Sequence, residues 1–500
     1  MNAIPPSTER RSCEPPPCSV VRLDSTVTPP PPDSDAASAP EAKPGGRLSE
    51  GRSGEDGVDP RNAADVAHNA ADAGPGSSAN PPQPWWRAVG PALVVAAVVL
   101  GPGSILTASK VGCGFGADLL WVVGLAALLM MGVTATAATL GCRLPHTLGT
   151  ELTHRLGRPA AIAVGGVLFL LVLSFQGSNN MAVLAGVEAM LGRSLSPMLA
   201  CGVLLALNGL LIAVLWRSRR LYRPIEVLMK VIVGAMVVGF LVNFLAARPD
   251  LVALLGGLVP RWPADLPEGW LPVRQGEQVV DPLRPVTALV ATTFSVAAAY
   301  YQAYLVREKN WTAADLRTGL LDSLLGIAAL GLATSLVMLT AATVLHGDVP
   351  PESLTDLAAV ASQLAPAFGP ASEWLFAFGV LGGAFSSFLG NAIVGGTLLA
   401  DGLGQPSRLD DRACRWATTA ALLGGALPAA ILSSGATDRI GAIVWLQSVT
   451  VLGLPLLAAT LLYLAIASEA RVQKWAIAAT AVGTLVAVVL ALRTAYALTL

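Results

Sequence analysis

Charge is scarce in this chain. Only 13% of its residues are Asp, Glu, Lys or Arg, and the two signs nearly cancel at a formal net charge of −1. That balance gives no reason to expect nucleic acid or an acidic partner. The six cysteines (Cys13, Cys18, Cys113, Cys142, Cys201 and Cys414) include no CxxC pair, which argues against a disulfide framework or a metal cluster. No secretory h-region precedes residue 84. No Ser-His-Asp pattern, phosphate loop or enzyme pocket can be traced, so catalysis is not expected and no cofactor is implied. Nor does any segment demand an obligate protein partner.

Apolar residues are what the chain has: 53% of the total, with a mean hydropathy of +0.61. This is too apolar for a soluble protein of this length. Residues 1–84 are the exception. Rich in Pro, Ser, Ala, Asp and Gly, with Pro29 to Pro32 in one run, they read as a disordered tail. The membrane domain, 85–500, starts at Trp85-Trp86-Arg87, residues suited to a lipid interface. The lipid bilayer is the partner this composition implies.

Eleven spans are expected, at 88–112, 118–141, 159–190, 198–216, 225–247, 286–306, 321–345, 373–401, 413–433, 440–466 and 475–497. Most reach the ~20 apolar residues that cross a bilayer. The third is long and polar in its middle, so a kink or an interruption is expected there. Arg and Lys fall in every second loop: Arg143, Arg155 and Arg158; Arg217, Arg219, Arg220 and Arg223; Arg307, Lys309 and Arg317; Arg408, Arg412 and Arg415; Arg471 and Lys474. The loop at 346–372 is acidic apart from His346. The positive-inside rule then places the N-terminus in the cytoplasm and the C-terminus outside a cytoplasmic membrane.

Gly101-Pro102-Gly103-Ser104 lies inside the first span. Pro lacks a backbone donor and Gly weakens a helix, so the helix should break at bilayer depth. Broken helices there line a cavity, and they build the cargo sites of secondary transporters. Spans 1–5 and 6–10 form two sets of odd length, so the second set is inverted relative to the first. The expected fold is therefore an all-α membrane protein with a 5+5 inverted repeat (88–247 and 286–466) and an extra helix at 475–497. Spans 1 and 6 should be the broken pair, although span 6 (Val286 to Val306) contains neither Pro nor Gly.

From Gly90-Pro91 through Gly116 to Leu119-Leu120-Trp121-Val122 the chain resembles the Nramp family of proton-coupled divalent-metal transporters. The resemblance extends over nearly all of 88–466. Tyr222-Arg223-Pro224-Ile225-Glu226, Ala247-Arg248-Pro249-Asp250, Phe385-Ser386-Ser387, and Gln447 before Leu454-Pro455 also carry it. It implies the LeuT-like fold and places a site at the two breaks. The family's functional residues are replaced, however. Its Asp-Pro-Gly-Asn stands here as Gly101, Pro102, Gly103 and Ser104, and its Met-Pro-His as Ser295, Val296 and Ala297. Its proton-route acids fall near Gly177 and Asn180.

A site without its acid, with Lys110 roughly 9 Å further along the helix at 1.5 Å per residue, is expected to prefer a small anion. Bicarbonate fits, held by donors from Ser104, Thr107, Ser295, Gln302, Asn179, Asn180 and Gln447. Gln176, Asn179 and Asn180 would line the pathway, and Ser386 and Ser387 would hold a coupling Na⁺. Two alternatives remain: a divalent cation such as Mg²⁺ or Mn²⁺ on an altered ligand set, and a non-transporting sensor on the same scaffold. Glu226 and Lys230 read as a structural i, i+4 pair. Asp118 and Asp401, at helix ends, are expected to stay hydrated.

Overall fold

The computed structural model describes residues 101–217, 231, 234–235, 237–249, 256–261, 263, 271–276, 278–435 and 438–500. The expected tail, Trp85-Trp86-Arg87, the start of the first span, and the Glu226–Lys230 pair lie outside the described residues.

Among the described residues nine helical stretches are long and apolar enough to cross a membrane. They correspond to spans 2–4 and 6–11. The first span appears as α1 (Pro102–Phe115), whose Gly101 cap is extended at φ −82° and ψ 174°. It is followed by α2 (Leu120–Arg143), α3 (Leu148–Leu156), α4 (Arg158–Leu191) and α5 (Pro197–Arg217). Of span 5, α6 (Val237–Ala246) is described. A two-stranded hairpin, β1 (Val273–Gln275) and β2 (Gln278–Val280), comes next, with Val273 opposite Val280.

The second half begins with α7 (Arg284–Thr293) and α8 (Val296–Glu308), the two parts of span 6. Their separation at Phe294 and Ser295 is the expected second break. α9 (Asp315–Val344), α10 (Ser372–Gly402), α11 (Arg412–Gly435), α12 (Arg439–Val449), α13 (Leu454–Ala467) and α14 (Lys474–Thr499) complete the bundle. A 3₁₀ turn, Thr450–Gly453, separates α12 from α13, where Pro455 opens the latter. No gap interrupts α4, which runs as one helix for 34 residues. Its polar run survives because Gln176 and Asn179 use their side chains on neighbours and leave the backbone ladder intact.

The packing has the expected internal symmetry. α1 lies chiefly on α9 and α8 on α2, and exchanging spans 1 with 6 and 2 with 7 turns one pair into the other. α4 and α10, the third span of each half, pack most extensively of all.

The two ends differ in charge. At the basic end Arg307 donates to the carbonyls of Leu144, His146 and Pro145 at 2.8, 3.0 and 2.9 Å. Arg143 and Arg155 reach the carbonyls of Ala470 and Ala467 at 3.1 and 2.7 Å. The loops after spans 2, 6 and 10 thus converge. At the opposite, acidic end, Glu188 on α4 and Arg439 on α12 form a two-pronged ion pair at 3.0 and 3.1 Å. Asp281 pairs with Arg493 of α14, both buried. Asp118 keeps the partial exposure expected of it and pairs with Arg261 at 2.7 Å.

Candidate functional site

The first break is built by proline chemistry. Pro102 has no N–H to lose, so α1 starts at it, and the Gly101 carbonyl accepts from the amides of Ser104 and Ile105 at 3.1 and 3.4 Å. Both glycines are places of close approach. A Cβ on Gly101 would stand 2.6 Å from Ser387 Oγ of α10 and 3.7 Å from Asn179 Oδ1 of α4. A Cβ on Gly103 would stand 2.1 Å from Gln447 Nε2 of α12. Three helices from both halves therefore meet the break, and Ser104, Asn179, Ser387 and Gln447 are all buried.

A hydrogen-bonded amide chain surrounds it. Gln447 Nε2 donates to Ser178 Oγ at 2.7 Å, and Asn179 Nδ2 to Gln176 Oε1 at 3.1 Å. Gln176 Nε2 donates to the Phe388 carbonyl and Asn180 Nδ2 to the Gln176 carbonyl, both at 2.8 Å. Asn180 Oδ1 accepts from Asn208 at 2.8 Å. Each expected amide donor has thus given a hydrogen to a protein acceptor. Gln447 Oε1, in contrast, is buried without a hydrogen-bond partner. Such an atom is uncommon in a packed interior.

The second break has no proline. Phe294 and Ser295 leave the helical region at ψ 62° and 84°, and the Phe294 ring packs against Gly483 of α14, where a Cβ would be 2.7 Å away. Ser295 and Ala297 are buried at the start of α8.

Three expected donors are placed differently. Thr107 turns its hydroxyl onto its own helix, donating to the Gly103 carbonyl at 2.8 Å. Gln302 donates to Ser323 of α9 at 3.0 Å. Lys110 lies toward the acidic end, where it and Glu352 are both near Cys113, whose thiol donates to the Val349 carbonyl at 3.2 Å. The ring of His346, in the same loop, meets the Cys113 carbonyl at 2.8 Å. Of the two serines suggested for Na⁺, Ser387 faces Gly101, and Ser386 is half-buried beside it. Ser178 was not singled out by sequence, although it sits inside the polar run that was. Among the described residues no group of three His, Cys, Asp or Glu comes together.

Asp401 is not hydrated. It is 5% exposed and sits in a polar knot at the basic end of α10. A helix-end position in the sequence cannot reveal what packs over it.

The comparisons with known proteins agree with this architecture. The family described as "Natural resistance-associated macrophage protein-like" matches residues 92–497. A divalent metal cation transporter MntH of Deinococcus radiodurans is 25% identical over 327 residues, 63% of this chain and 69% of that protein. The MntH of Mycobacterium tuberculosis is 28% identical over 177 residues, 35% of this chain and 40% of that protein, so the chain spans less than half of the latter. A solved manganese transporter of Eremococcus coleocola, in complex with an aromatic bis-isothiourea substituted compound, superposes with a TM-score of 0.63 at 18% identity. It covers 83% of this chain and 87% of its own, a likeness of fold.

Proposed function

This chain belongs to the Nramp family, and from that membership we propose a specific cargo for it: a small hard divalent cation of the Mg²⁺ class. It is a multi-pass membrane protein with the all-α, LeuT-like fold of a secondary transporter. The relatives named divalent metal cation transporters support a metal. The observation that carries the hard-ion reading is Gln447 Oε1, a buried carbonyl oxygen without a partner, on a side chain whose Nε2 and Cδ pack over Gly103. Asn179 Oδ1 and Ser387 Oγ stand at Gly101. Neutral oxygens suit an ion that keeps part of its water, because the water shell spreads a charge that no carboxylate cancels. The thioether that favours softer metals is absent from the second break, where Ser295, Val296 and Ala297 stand.

The opposite cargo, a small anion such as bicarbonate moved with Na⁺, has one observation in its favour. Neither break carries a carboxylate among the described residues, and two half-helices, α1 and α8, begin there with their positive ends. An anion needs donors, and each amide that would supply them already gives one of its two hydrogens to a protein oxygen, whereas the Gln447 carbonyl oxygen has no partner. The cation reading therefore stands first. The basic end is cytoplasmic under the positive-inside rule, in a cell membrane.

Uptake into proteoliposomes separates the readings. Mg²⁺ influx reported by a trapped dye, with weaker Mn²⁺ influx and no alkalinisation on adding bicarbonate, is the expected result. Alkalinisation dependent on bicarbonate, without Mg²⁺ influx, would overturn it.

A further inference from the structure

The carboxylate of Asp401 gathers three elements at the basic end. Thr147 Oγ1 donates to Oδ1 at 2.5 Å and the Gly149 amide to Oδ2 at 2.8 Å, both from the turn that opens α3. The hydroxyl of Tyr304, on α8, donates to Oδ2 as well. Thr147 also caps α3, accepting from the Thr150 amide at 3.4 Å. No ion pair involving Asp401 is formed among the described residues, so neutral donors alone hold this buried carboxylate. The fit is close: a Cβ on Gly149 would lie 2.4 Å from Asp401 Oδ2.

The position of the knot is what gives it a role. α8 runs from the second break at Ser295 to Arg307, and Tyr304 lies between them. On the solvent side of Tyr304 is a cleft of about 230 Å³, which Thr147, Tyr301, Arg307 and Arg408 also line. Tyr304, Asp401 and Tyr300 also line a far smaller void with Ala161 and Leu398. Tyr300 is buried and its hydroxyl has no partner. The knot thus lies between the basic-end cleft and this void. It also ties the half-helix below the second break to α10 and to the α2–α4 connection.

We propose that Asp401 is the latch of the basic-end gate, a positioning residue whose hydrogen bonds to Tyr304, Thr147 and Gly149 must release before α8 can swing and admit water toward the breaks. The inference rests on the transporter reading but not on the cargo. Hydrogen bonds to a charged group are among the stronger ones, so removing one should shift the closed state measurably. Tyr304→Phe removes a single hydroxyl and keeps the ring. Asp401→Asn keeps the shape and removes the charge.

The test needs no cargo. In protein whose six native cysteines are replaced, Leu398→Cys reports on the small void beside the knot, and Leu354→Cys reports on a buried position at the acidic end. A membrane-impermeant maleimide is applied to each in reconstituted vesicles. Tyr304→Phe and Asp401→Asn are each expected to speed labelling of the Leu398→Cys protein about tenfold, with labelling of the Leu354→Cys protein unchanged. Unchanged labelling of the first reporter would overturn the latch. Faster labelling of both would also overturn it, because that marks general loosening. Failure here leaves the uptake result untouched, and failure of Mg²⁺ uptake leaves the labelling result untouched.

Discussion

Around Gly101 and Gly103 the buried polar side chains are amides and hydroxyls: Ser178, Asn179, Ser387 and Gln447. At the two ends of the same bundle buried carboxylates appear, each with dedicated partners. Glu188 has Arg439, Asp281 has Arg493, and Asp401 has Tyr304, Thr147 and Gly149. Both regions obey the same rule, that a buried charge is stable only with partners. The ends supply theirs from the protein and so make fastenings. In the centre a fixed charge would have only the cargo as its partner, and this chain places none there. Charge therefore fastens the scaffold at its ends, while neutral side chains surround the first break.

The largest effect should come from breaking an end. Arg439→Met leaves the largely buried Glu188 with only the Leu195 amide as a partner, and should cost up to about 3–5 kcal/mol, read from denaturant or thermal unfolding in detergent. The double variant Glu188→Met with Arg439→Met should recover most of that loss, because two apolar side chains leave no orphan charge. A double variant as unstable as the single one would mean that the hydrogen bonds to Leu195 and Ser433, at 2.9 and 3.3 Å, matter more than the pairing.

Steric change in the centre should cost less. Gly103→Ala puts a methyl 2.1 Å from Gln447 Nε2 and 2.7 Å from its Cδ, so more than the tip of that side chain must shift. The expected penalty is about 1–3 kcal/mol, with uptake lost. Gly114→Ala is the control on the same helix: its Cβ would meet nothing closer than Pro351 Cγ at 3.4 Å. It should be neutral or stabilising by up to about 1 kcal/mol. Equal penalties for the two would show that Gln447 does not press on the break.

The contrast between centre and ends was only half legible in the sequence. The first break could be read because proline removes a donor wherever it stands. The second could be located only by symmetry, since Phe294 and Ser295 have no local reason to leave a helix. Packing of the Phe294 ring on Gly483, nearly 190 positions away, accompanies that break. Asn179, Ser387 and Gln447, singled out by residue type, stand beside Gly101 and Gly103. Thr107 and Gln302 give their hydrogens to Gly103 and Ser323, and sequence does not show which acceptor a hydroxyl or amide will choose. The Asp401 knot was hidden for the same reason: its partners Thr147 and Gly149 lie some 250 positions earlier.

Gln447→Met should have the smallest effect on stability and the most informative one on function. The side chain keeps its length and its packing over Gly103, and the unpartnered Oε1 is deleted together with the amide that donates to Ser178. Losing a hydrogen bond costs about 1 kcal/mol, and removing a buried orphan acceptor returns a similar amount. Stability should therefore stay within about 1 kcal/mol of the parent. If the orphan oxygen is a cargo ligand, Mg²⁺ uptake should fall sharply in a protein that is otherwise as stable, and Mn²⁺ influx in the same vesicles tests the sulfur for the opposite trend. A relative gain of Mn²⁺ over Mg²⁺ is expected, since a thioether prefers the softer ion. Unchanged Mg²⁺ uptake would remove Gln447 from the site and leave the amide chain as a purely structural connection between α4 and α12.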